Sequence, residues 1–157
     1  TPIWSGQEPH NFDRHVEDGN AQIPDFIYFH VLRKFKEGTP EQFRAAAGED
    51  FDWNRCMSVP GAYRGGIWRV TGTISRVWVE KIDDPSSPLP QVYAGVFTVD
   101  EGLPIFFHLT EKPDVLRLRE DVVEFDGLFM KTFSSQAPSG RPLSAPFFLA
   151  KNLRKMM

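Results

Sequence analysis

The sequence predicts a mainly β domain with added α structure (α+β), a five-stranded Greek-key barrel behind an N-terminal helical extension. Three observations carry this. Helical periodicity is confined to residues 24–47, strand periodicity begins after Gly66, and the first strand pattern is far too long to be a simple straight strand. A chain of 157 residues with 41% hydrophobic and 25% charged residues has the size and makeup of one ordinary domain. It can bury a core without metal or disulfide staples.

Residues 1–22 are polar and aperiodic, with Pro2, Gly6, Pro9 and Gly19 among scattered charges, and read as a loosely ordered arm that Trp4 and Phe12 pin locally. From Pro24 the pattern changes. Tyr28, Val31, Leu32 and Phe35 recur at i, i+3, i+4, i+7 and line one helical face, with Gly38 where a stop is expected. Thr39, Pro40 and Gln42 set up a second, shorter helix: an N-cap, a proline at the first helical position and a capping-box partner. Residues 49–64 read as a connector, so 23–64 form an extension that packs on a barrel spanning 65–152, leaving 153–157 as a basic tail.

The strand at 67–82 would span roughly 50 Å if straight, about three times a typical strand. Gly72 offers a bend. The apolar set also changes parity, from Trp68, Val70 and Ile74 to Val77 and Val79, which predicts a bulge near Ser75 and Arg76. A turn rich in Asp, Pro and Ser leads to a second strand at 91–99. Asp100, Glu101 and Gly102 then turn the chain into a third at 104–110. Pro113 and Asp114 suit the start of a short helical connector, a fourth strand with a central Gly127 runs 122–133, and a fifth runs 145–151.

A long bent first strand, a hairpin, a helical connector and two further strands follow one another in the order of the OB-fold, whose first strand serves both sheets and must curve. The run Gly65 to Val79 resembles the opening strand of OB-like domains. Phe-Asp-Gly-Leu-Phe-Met-Lys at 125–131 and Ser-Ala-Pro-Phe-Phe-Leu-Ala-Lys at 144–151 resemble a pattern in uncharacterised bacterial proteins, some of them associated with membranes or the cell envelope. That resemblance implies no catalytic or ligand-binding residue.

The net charge of −3 removes the broad electrostatic case for a nucleic-acid binder. No stretch approaches the roughly 18 apolar residues of a membrane-spanning helix, so this stretch of chain is not expected to insert in a membrane. Beginning at Thr1 without Met and ending on Lys151, Arg154 and Lys155, the chain reads as a piece of a larger protein, in the cytoplasm or the cell envelope. The single Cys56 excludes an internal disulfide.

His10, His15, His30 and His108 lack the close spacing of a zinc motif, and no metal or cofactor is expected. Asp83–Asp84, Asp100–Glu101 and Glu120–Asp121 fall in turns, where solvated acids are expected. No nucleophile elbow or phosphate-cradling loop is present, so no catalytic residue is assigned. OB-folds use the face of strands two and three for oligonucleotides or oligosaccharides. On that face Trp78, Tyr93, Phe97, Phe106 and His108 are the candidates to stack on bases or sugar rings, with Arg69, Arg76, Arg117 and Lys131 to meet phosphates.

Strand two complicates that picture, because both of its faces are apolar: Val92, Ala94 and Val96 on one, Tyr93, Gly95, Phe97 and Val99 on the other. A barrel has one inside, so the second row needs another cover, which the first helix can supply at the cost of the usual ligand face. The first expectation is therefore a non-catalytic binding or scaffold module that acts through protein partners or flanking domains. Single-stranded nucleic-acid or oligosaccharide binding comes second, and a hydrolase using His108 with Asp126 or Glu124 third.

Overall fold

The computed structural model describes residues 18–19, 23–48, 50–100, 102–114, 116–136, 139–140 and 142–156. Among the described residues four helices come first: α1 (Asp25–Glu37), α2 (Pro40–Ala46), α3 (Trp53–Ser58) and α4 (Pro60–Tyr63). Six strands follow: β1 (Ile67–Lys81), β2 (Gln91–Val99), β3 (Leu103–Leu109), β4 (Val123–Gln136), β5 (Pro142–Ala150) and β6 (Arg154–Lys155).

The first five strands close into a ring in the order β1-β2-β3-β5-β4, with β4 returning to β1. The β3–β5 pair is parallel; the other four are antiparallel. This is an OB-like arrangement, and β1 makes it closeable. Its first part pairs with β4 from Ile67↔Leu128 to Gly72↔Val123, and its second with β2 from Thr73↔Thr98 to Lys81↔Gln91. The handover falls at Gly72, where a Cβ would lie 2.1 Å from the Thr98 carbonyl oxygen, so only glycine lets the strands approach. The expected bulge sits between Ile74 and Arg76 and flips the parity of the apolar residues.

Two apolar clusters result. Inside the ring Phe97, Phe107, Phe125, Phe129 and Phe148 are fully buried, with edge-on rings such as Phe97 and Phe125 at 5.2 Å. Outside, α1 lays Ile27, Val31, Leu32 and Phe35 on Leu128, Met130, Phe147, Leu149 and Val92. The alternation of β2 is thereby resolved: Phe97 and Val99 point inward and Val92 meets the helix cluster. Phe35 stacks on Phe43 of α2 at 4.4 Å, and α2 begins with the capping box in which Thr39 accepts from the Gln42 N–H. Lys151 Nζ donates to the Phe35 and Lys36 carbonyl oxygens, a cation closing the C-terminus of α1.

Several expectations need correction. The connector at 49–64 holds two short helices, one capped by the Asp52 carboxylate accepting from the Arg55 N–H. No helix occupies the described residues between β3 and β4; they carry no regular structure apart from a turn at 118–120, with Arg119 at φ 66°. Asp121 is buried rather than solvated, because it accepts from the Arg117 N–H at 2.8 Å and meets Lys155 at 3.5 Å. That backbone bond holds its carboxyl below the usual carboxylate range. Arg154 and Lys155, assigned by sequence to a tail, pair with Val123 and Glu124. Trp4 and Phe12 lie outside the described residues, while Asp18 and Gly19 are fixed: Asp18 takes a forked bond from Arg64 and accepts from the Thr132 N–H.

Candidate binding surfaces

The outer face of β2 and β3, where the sequence puts most of its candidate ligand residues, is covered at one end by α1. Tyr28 Oη lies 2.7 Å from His108 Nδ1, and the rings meet edge-on at 5.7 Å. Burial pushes the Tyr28 hydroxyl pKa up, and burial lowers that of His108 to about 4. The imidazole is therefore neutral at pH 7 and shares a hydrogen bond with the Tyr28 hydroxyl through Nδ1.

Beyond that contact a groove of about 190 Å³ remains, lined by Trp78, Phe106, His108, Phe133 and Phe147. Phe133 and Phe147 stack at 4.4 Å and form its floor. Sequence reasoning did not single them out, although the alternation of β5, with Phe147 outside and Phe148 inside, carries the signal. A second groove of about 280 Å³ opens between β1 and the segment that follows β3, lined by Val77, Trp78, Val79, Tyr93, Lys112, Leu116 and Leu118. Around it Val77, Val79 and Leu118 are 37%, 50% and 46% exposed.

The predicted site residues therefore separate. Phe106 and His108 line the first groove, Tyr93 the second, and Trp78 borders both. Phe97 is fully buried inside the ring and packs the core instead of facing a ligand, because its parity on β2 points inward. Lys131 is also fully buried, with its ammonium 5.6 Å from the Phe133 ring centre, so it offers no exposed charge to a phosphate. Arg69 is 3.4 Å from Asp126 and donates to the Arg44 carbonyl oxygen. Arg117 meets Glu120 and Asp121. Arg76 lies over the Trp78 ring at 5.2 Å, and Trp78 Nε1 donates to Glu80 at 2.7 Å.

Glu124 and Asp126, the acids considered beside His108, are instead tied to Arg154 on the face of β4 and β6. Arg154 Nε donates to Glu124 at 2.8 Å, and Thr71 Oγ1 donates to it at 2.7 Å. Burial acts to raise the Glu124 pKa, yet the bonds from Thr71 and Arg154 outweigh it and hold the carboxyl below its usual range. An ionised, cation-paired acid is a poor base for a histidine already occupied by Tyr28. Among the described residues no group of three His, Cys, Asp or Glu is placed to hold a metal ion, and no helix is long and apolar enough to cross a membrane.

No protein-family model and no curated protein matches the chain. Among solved structures, the chain is similar to the solution NMR structure of an OB domain from Thermoplasma acidophilum. The two share 16% identity over 57% of this chain and 72% of that one, with a TM-score of 0.30.

Proposed function

We propose that this domain is an OB-like barrel serving as a binding or scaffold module, and that its partners are polypeptides rather than nucleic acids. One observation carries the reading: α1 fills part of the usual ligand face, while exposed apolar side chains gather where the second half of β1 meets the 112–118 loop. Candidate phosphate-binding cations do not favour nucleic acid. Arg69 and Arg117 are in ion pairs, Lys131 is buried, and the net charge is −3.

A displayed library of extended peptides tests this reading. Sequences with alternating apolar residues should be enriched on the wild-type domain, and binding should fall at least tenfold with Val79→Asp or Leu118→Asp. No enrichment, or equal binding to all three proteins, would overturn it.

A second reading has one observation in its favour: the groove at Trp78 and Phe106 keeps ring faces beside a neutral imidazole, which suits an uncharged sugar. Oligosaccharide binding there should be lost in Phe106→Ala and change little between low and high salt. A ligand whose affinity collapses with salt would indicate nucleic acid instead.

A further inference from the structure

Strand β1 has β2 on one side along residues 73–81, but its pairing with β4 ends at Gly72. Among the described residues no strand lies on the other side of residues 76–81. Arg119 N–H bonds to the Ile74 carbonyl oxygen and closes the edge only up to the bulge. Ile82 N–H bonds to the Pro90 carbonyl oxygen, so the alternation of an antiparallel ladder turns the backbone groups of Val77, Val79 and Lys81 outward. An exposed apolar edge of this kind is a template for another strand.

The edge is also complementary to itself. If two copies run antiparallel about Trp78, Val77 of each meets Val79 of the other, the tryptophans face one another across the axis, and Arg76 meets Glu80 twice. Arg76, Trp78 and Glu80 already lie in a row on one face, in contact with each other. We propose that the occupant of this edge is a second copy of the chain, paired through Arg76–Glu80 into a sheet that continues across a two-fold axis. The inference rests on the polypeptide-binding reading and names its partner. Five paired residues per copy fall well short of a standard interface of about 1,600 Å², so the dimer is a weak one, with dissociation in the micromolar range or above.

Charge reversal tests it, by sedimentation over about 1 µM to 1 mM with thermal melts to verify folding. Wild type should dimerise with concentration. Arg76→Glu and Glu80→Arg should each weaken self-association at least tenfold, since like charges then face each other twice. An equimolar mixture of the two single variants should form a heterodimer, because each acidic edge meets a basic one, and the double variant should dimerise like wild type. A monomer throughout the range would overturn the proposal, including one whose edge is covered by the chain's own first 17 residues. So would a dimer indifferent to both reversals. Peptide capture by a monomeric domain would leave the polypeptide-binding reading standing while this inference fails.

Discussion

Between Ile67 and Gly72, β1 pairs with β4, and its other edge is met at Arg69, whose carbonyl oxygen accepts from the Phe51 N–H. Ile67 and Val70 go into the two buried clusters. From Arg76 to Lys81 the same strand pairs with β2 alone, and Val77, Trp78 and Val79 stay 37%, 40% and 50% exposed. Both halves are rich in β-branched and aromatic residues, so strand propensity does not separate them. The difference lies in what the other described residues supply as cover, and the apolar half they leave open is the premise of the proposed self-pairing.

Substitutions can break or sharpen that contrast. The largest effect is expected inside the ring, where Phe97→Ala should cost about 3–5 kcal/mol in denaturant unfolding, since the cavity adds to lost burial. On the helix-covered face Leu32→Ala should cost about 2–4 kcal/mol; a cost below about 0.5 kcal/mol would mean that α1 is not docked.

Acid probes the same docking. His108 has a folded pKa of about 4, against about 6.5 in an unfolded chain. Between those values the unfolded chain binds more protons, so stability present at pH 7 is lost as pH falls below about 6.5 and the loss levels off near 4. Comparing wild type with His108→Gln at pH 7 and pH 4.5 should show a difference in acid sensitivity of order 1–2 kcal/mol. Thr39→Ala, which removes the α2 cap, should cost about 1 kcal/mol. Val79→Thr, in the open half of β1, should change stability by less than about 0.5 kcal/mol.

Those contrasts also mark what the sequence could disclose. The length of β1, its bulge near Ser75, the range of β2 and the Thr39 capping box all follow from local rules of parity, reach and capping, and local rules are legible in one chain. The short helices at 53–63 hold only six and four residues, too few for periodicity to register. Pro113 and Asp114 make a plausible helix start, yet no described residue of that segment is helical, so tertiary context overrides local preference.

At the candidate site, residue type alone picked out Trp78, Phe106 and His108. It could not tell that Phe97, two residues from Gly95 and equally aromatic in context, faces inward, because both rows of β2 are apolar. The Tyr28–His108 contact joins residues 80 apart in sequence, and no spacing rule reaches that far.

Residue-resolved amide hydrogen exchange along β1, run dilute and concentrated, tests the central claim most directly. The covered half should be protected at both concentrations. In the far half the outward amides of Val77, Val79 and Lys81 should exchange rapidly when dilute, with those of Val77 and Val79 becoming protected when concentrated. Exchange at the same rate at both concentrations would contradict the account, whether fast, which leaves the edge without a partner, or slow, which means the chain itself already covers it.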